Sequence, residues 1–247
     1  MTAAVVSGSS WTIDVGSDQT TAVWDPPAAT RRPSTPVFVC AHGAGGQMND
    51  RSMLAVRDAL TAEGLGVVRF NFLYRAKGSA RPDQMPRLLA CWSAVVDHVR
   101  RELRPDVLIL GGRSMGGRAA SMFVADGAAC DGLLLLAYPL HPPGATDKLR
   151  ADHLSAIHVP VLCFNGTRDA FCERPLMERV LSTLAAGSGR LKAAATSPAA
   201  PVNWRMHWID AADHGFHVQK RSGRTDAQVM AEVAAETRAW LNVLRTT

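Results

Sequence analysis

Short apolar runs recur along the chain, bounded by turn residues and separated by stretches whose apolar positions repeat at helical spacing. Continuous apolar runs belong to strands buried on both faces, and the helical stretches between them are the crossovers that a parallel sheet requires. The pattern predicts strands at Trp11–Val15, Thr21–Trp24, Val37–Ala41, Val67–Asn71, Val107–Leu110, Leu133–Ala137, Val161–Phe164 and Trp204–Ile209, the first two as an antiparallel hairpin at one edge. Helices are predicted over Arg51–Glu63, which presents Met53, Val56 and Leu60, and over Pro86–Leu103, which presents Leu88, Trp92, Val95 and Val99. A further helix follows over Met115–Ala125. The last one opens on Thr225 with Gln228 three residues on, a capping box, and then shows Val229, Val233, Trp240 and Leu244 on one side. Ala185–Pro201, rich in Ala, Gly, Ser and Pro, reads as a long surface loop.

Composition narrows the class. A chain of 247 residues with 47% hydrophobic content can bury one sizeable core, so a single domain over 1–247 is expected. No apolar run reaches the ~18 residues of a membrane span, and the first residues lack a basic and then apolar leader, so a soluble protein with no membrane partner is expected. Five cysteines, widely spaced and without a C-x-x-C pair, fit reduced thiols and a cytoplasmic compartment better than a disulfide framework or a zinc site. The net charge of +5 is spread among acids without an aromatic-interleaved stripe, which argues against a nucleic-acid partner. Nothing in the sequence sets an oligomeric state.

The strongest local motif is Gly111-Gly112-Arg113-Ser114-Met115-Gly116-Gly117, placed directly after an apolar run and at the start of a helical stretch. Chance supplies roughly 0.1 G-x-S-x-G matches in a chain of this size, so the strand–turn–helix setting carries more weight than the match itself. Such a turn projects the Ser114 hydroxyl from the top of a sheet, and Gly112 and Gly116 avoid collisions a Cβ would make. The bland reading is a glycine-rich turn in which Ser114 only caps the helix.

A serine hydroxyl needs a base, and the base needs a third group to hold its tautomer. Asp169, just past the run Val161–Phe164, and His214, just past the last strand, lie where strand ends bring them beside Ser114. Asp213 is the alternative acid, although sequence neighbours rarely aim the required atoms at each other. His217 with Asp213 and His214 suggests a metal site, but further ligands at suitable spacing are missing, so no metal and no cofactor is expected. Two backbone N–H groups form the expected oxyanion hole, one from Met115 and the other from Ala44 in His42-Gly43-Ala44-Gly45-Gly46.

Taken together, HGAGG, GGRSMGG, FNGTRD and ADHGF resemble the α/β-hydrolase superfamily in order and spacing across almost the whole chain. More narrowly, RFNFLYR, YPLHPPG and KRSGRT look like a dienelactone-hydrolase-like family that groups small bacterial proteins with a testis-expressed protein and an NSL-complex subunit. The resemblance implies an α/β-hydrolase fold, with a mostly parallel eight-stranded sheet and helices on both faces. It also implies Ser114, Asp169 and His214 as a triad acting on a small-molecule acyl substrate. Serine stands where dienelactone hydrolases proper use cysteine, so lactone chemistry is not carried over. Only 23 residues separate Ala137 from Val161, which leaves no room for a large cap domain. The pocket is therefore expected to be shallow and lined by His42, Met48, Asn71, Tyr74, Met115 and His141, His141 being equally readable as part of a stiff loop. A catalytically idle fold used for protein interaction is the rival reading, since fold alone does not fix function.

Overall fold

The computed structural model describes residues 8–28, 35–191 and 204–244. Its strands are β1 (Ser9–Val15), β2 (Asp18–Asp25), β3 (Val37–Ala41), β4 (Gly66–Phe70), β5 (Leu108–Arg113), β6 (Gly132–Leu136), β7 (Val161–Gly166) and β8 (Trp204–Ile209). They form an eight-stranded sheet in the order β1-β2-β4-β3-β5-β6-β7-β8. The hairpin β1–β2 joins β4 antiparallel at one edge, and β4, β3, β5, β6, β7 and β8 run parallel to one another. The helices are α1 (Arg51–Ala62), α2 (Leu73–Ala76), α3 (Met85–Leu103), α4 (Met115–Ala125), α5 (Arg174–Leu191) and α6 (Asp226–Leu244). No helix among the described residues is long and apolar enough to cross a membrane.

Strand alternation divides the core into two layers. Val37, Val39, Leu133, Leu135, Val161 and Cys163 face the layer that holds Leu88, Trp92, Val95 and Val99 of α3 and Ala119, Ala120 and Val124 of α4. Phe38, Cys40, Leu134, Leu136, Leu162 and Phe164 face the other, with Met53, Val56 and Leu60 of α1 and Val229, Val233 and Trp240 of α6. Each large side chain buried in this way contributes about 1.5–3 kcal/mol, so the apolar stripes hold the helices on the sheet more firmly than helix propensity does. The α6 capping box forms as expected: Thr225 N–H donates to Gln228 Oε1 at 2.9 Å, and Gln228 N–H donates to Thr225 Oγ1 at 3.2 Å.

Two differences from the sequence reading have physical causes. β5 does not stop at Leu110 but runs through Gly111, Gly112 and Arg113, because these residues still pair with Cys40 and Ala41 on one side and Leu134, Leu135 and Leu136 on the other. A central strand with partners on both edges overrides the turn preference of paired glycines, and Ser114 is thereby set at the very end of the ladder. The second difference lies in Ala185–Pro201, expected as loop. Its start is helical, since α5 continues to Leu191, and the remainder of that span lies outside the described residues. Ala185 and Ala186 are exposed and carry no apolar stripe, but alanine has the highest helix propensity and continues a helix already begun.

Candidate active site

Ser114 sits between β5 and α4 with φ 48° and ψ −118°, a backbone conformation that costs a non-glycine residue roughly 1–3 kcal/mol. It is held there by its N–H, which donates to Leu136 O at 2.9 Å. The flanking glycines are required by the end of β3. A Cβ on Gly112 would stand 2.2 Å from Ala41 O, and one on Gly116 would stand 2.5 Å from Ala41 O and 2.6 Å from His42 O. The end of β3 therefore packs directly into the turn.

The strand ends converge as the sequence order requires. Ser114 Oγ lies 2.8 Å from His214 Nε2, and His214 Nδ1 lies 2.9 Å from both Asp169 Oδ1 and Oδ2. A carboxylate can only accept, so Nδ1 carries the ring proton and Nε2 is left to accept from the Ser114 hydroxyl. The Asp169 side chain is fully buried and the His214 side chain is 24% exposed, so the far end of the chain is dry and the near end is open. The Asp213 carboxylate is engaged elsewhere. Its Oδ1 accepts the N–H groups of Gly215 and His217 at 2.8 and 3.0 Å and shapes the turn that carries His214.

Three neighbours of this group escaped the sequence reading. Asn165, at the end of β7 and fully buried, donates from Nδ2 to Asp169 Oδ2 at 3.0 Å. Phe171 donates its main-chain N–H to Asp169 Oδ1 at 2.8 Å and lays its ring against His214, centroids 4.3 Å apart. Arg113 donates from Nη2 to the main-chain oxygen of His214 at 2.9 Å. Asn165 and Phe171 lie in the same FNGTRDAF stretch as Asp169, whereas nothing in the sequence points from Arg113 to a residue 101 positions away.

A model of the alpha/beta hydrolase domain family matches residues 34–242. The chain belongs to this family. Solved structures agree in fold. An alpha-beta serine hydrolase homologue from Coxiella burnetii superposes with a TM-score of 0.69 at 19% identity, covering 95% of this chain and 99% of that one. A serine hydrolase without lid from Xanthomonas campestris gives 0.67 at 19% identity over 95% of both chains. A dienelactone hydrolase from Anabaena variabilis gives 0.66 at 16% identity, covering 94% of this chain and 95% of that one. In this alpha/beta hydrolase the segment between β6 and β7 holds only a short 3-10 turn, Asp152–Ala156, and among the described residues there is no large cap over the sheet.

The remaining site expectations divide. Gly43 passes beside the elbow, since a Cβ there would lie 3.5 Å from Ser114 Cβ, which brings the loop of Ala44 alongside Met115 at the start of α4. Ala44 is exposed and Met115 half-buried. Of the substrate contacts expected from His42, Met48, Asn71, Tyr74 and His141, the two histidine rings are committed to the main chain and are corrected, whereas Asn71 is half-buried. His42 is fully buried, its Nδ1–H donating to Gly43 O at 2.8 Å and its Nε2 accepting Phe72 N–H at 3.2 Å. His141 is used in the same manner, with Nδ1–H on Pro142 O at 2.9 Å and Nε2 accepting Glu173 N–H at 3.1 Å. Neither ring keeps a free nitrogen for a substrate.

Met48 and Tyr74 are also buried, and Asn71 accepts Met48 N–H at 2.9 Å, so these residues brace the loop from below. Burial pushes the His42 imidazole down to about 4, against a smaller opposing effect of its bond to Gly43, and it raises the Tyr74 phenol. His217 is exposed, its Nδ1 paired with Asp226 Oδ2 at 2.7 Å. No three His, Cys, Asp or Glu side chains among the described residues gather as a metal site. The five cysteines are free thiols.

Proposed function

We propose that this protein is a serine hydrolase that cleaves a small ester or thioester through an acyl-Ser114 intermediate. The observation that carries the reading is the unbroken hydrogen-bonded chain from Ser114 Oγ through the His214 ring to Asp169. Membership of the alpha/beta hydrolase family and the likeness to serine hydrolases, one of them without a lid, support it.

In this reading His214 Nε2 takes the Ser114 proton as Oγ bonds to the substrate carbonyl carbon, and Asp169 stabilises the imidazolium that results. The oxygen that becomes negative is received by the N–H groups of Ala44 and Met115, each worth about 3–4 kcal/mol to the transition state. The imidazolium then gives its proton to the leaving alcohol or thiol as the carbonyl re-forms. Water, deprotonated by the same nitrogen, repeats the attack and frees the acid together with Ser114. Met115, Phe171 and His214 around Ser114 are half-buried, which leaves part of each within reach of a small acyl group.

The test is covalent labelling. A fluorophosphonate probe is expected to modify Ser114, located by peptide mass, and the label is absent from Ser114→Ala. A panel of esters of increasing acyl length and of thioesters, with Ser114→Ala as blank, defines the substrate. A folded protein that takes no label and turns over no member of the panel would leave the fold to serve as an interaction scaffold.

A further inference from the structure

Arg113, the residue before Ser114, carries a charge into a place where charge is costly. It is only 8% exposed, and among the described residues it forms no ion pair. The charged or titratable groups that face it are Cys40 on β3, Asp169 after β7 and Asp213 in the turn before His214. The Cys40 thiol is pushed up to about 12 by burial and stays neutral, while both carboxylates are occupied by the donors already described. Asp169 and Asp213 attract the guanidinium only through space, so a buried cation without a direct ion pair depends on its remaining contacts to help offset several kcal/mol of lost hydration.

Both of those contacts fall on one short loop. Nη2 donates to the main-chain oxygen of His214 at 2.9 Å, and the guanidinium carbon lies 4.9 Å from the centre of the Phe216 ring. A charge-assisted hydrogen bond contributes about 1.5–3 kcal/mol and a desolvated cation–π contact about 2 kcal/mol. The loop needs such support. Ala211 at φ 58° and Phe216 at φ 65° flank His214 in the left-handed region, and non-glycine residues persist there only when their surroundings hold them. Beyond the guanidinium lies a cavity of about 720 Å³, with Asp50 and Arg51 of the α1 start, His217 and Asp226 on its wall.

We propose that Arg113 is a positioning residue for His214. Its main chain leads directly into Ser114 and its guanidinium grips the main chain of His214 and the ring of Phe216. One residue thus sets the span between Oγ and Nε2. The proposal rests on the acyl-serine reading for its kinetic consequence, but not for its structural one.

The experiment compares wild type, Arg113→Met and Arg113→Lys in ester hydrolysis and in the downfield proton resonance of His214 Nδ1–H against Asp169. Arg113→Met is expected to lower kcat about 10- to 100-fold with KM changed less than about twofold, and to broaden or abolish the resonance. Arg113→Lys keeps charge and length without the planar fork and should fall between the two. If Arg113→Met does not fold, Arg113→Lys carries the test alone. Folded variants with unchanged kcat and an intact resonance overturn the proposal, as does a rise in KM at constant kcat, which would make Arg113 a substrate contact. A wild type that turns over no ester or thioester and takes no fluorophosphonate label, but shows a resonance lost in the variants, supports the positioning role and refutes the acyl-serine reading.

Discussion

The Asn165 side chain joins two loops at once: its amide donates to Asp169 Oδ2 and Tyr138 O, each at 3.0 Å, while its carbonyl oxygen accepts Tyr138 N–H at 3.2 Å. The carboxylate that meets His214 is therefore fixed to the backbone that follows β6, and every polar atom of a fully buried residue is used.

Asn165→Leu keeps the volume and removes these three bonds together with the weak one that Cys163 Sγ–H donates to Asn165 Oδ1 at 3.4 Å. The Tyr138 carbonyl keeps the Leu140 N–H at 3.1 Å, so the stranded Tyr138 N–H is expected to cost about 1–3 kcal/mol, read from denaturant unfolding. Hydrolysis should fall at least about 10-fold as Asp169 loses one of its two fixed donors. Wild-type kcat in the variant would show that Phe171 N–H alone orients the carboxylate.

Ser114 gives a prediction of opposite sign for stability and for activity. Glycine reaches φ 48° and ψ −118° without steric cost, so Ser114→Gly should unfold at a higher temperature, by about 1 kcal/mol after the lost bond to His214 is counted. Turnover should vanish. A lower melting temperature than wild type would mean that the turn is not strained.

Gly116→Ala tests the close approach of β3. Its Cβ would meet two main-chain oxygens, Ala41 O at 2.5 Å and His42 O at 2.6 Å, and neither can rotate away as a side chain could. A loss of about 1–3 kcal/mol is expected, with a drop in hydrolysis because the same shift displaces the Met115 N–H. Calorimetry and kcat on one preparation check both parts.

The legible features were those set by order and period. Alternating layers, the Thr225 cap and the strand-end positions of Ser114, Asp169 and His214 all follow from patterns local to each segment, and the parallel sheet then brings the strand ends together. Side-chain direction in the loops was not legible. His42 and His141 occupy strand ends as His214 does, yet their nitrogens close on backbone groups, His42 on the peptides of Gly43 and Phe72 and His141 on those of Pro142 and Glu173. That choice depends on where a distant N–H group falls, which no spacing encodes. Arg113 and Asn165 were invisible for the same reason, since their partners are defined only once the sheet is formed.

The buried histidine beside the elbow also makes stability depend on pH. In the folded protein the His42 ring titrates at about 4, chiefly because burial disfavours its charge, with Arg75 lowering it further and Gly43 and Asp50 opposing. A proton on Nε2 would confront Phe72 N–H, which already points at that nitrogen. Once unfolded, the ring titrates near 6.5, so between about pH 6.5 and about pH 4 the unfolded chain binds more protons than the folded one. The stability that neutral His42 confers is complete above this window and is lost as pH falls through it, amounting to about 3 kcal/mol when integrated. Burial lowers His153 to about 4 as well, and it acts in the same direction. Melting temperatures measured from pH 7 to 4 should therefore fall for wild type, and the fall should be shallower for His42→Gln, which has no proton to gain. Parallel curves for the two proteins would remove His42 as a source of the acid sensitivity.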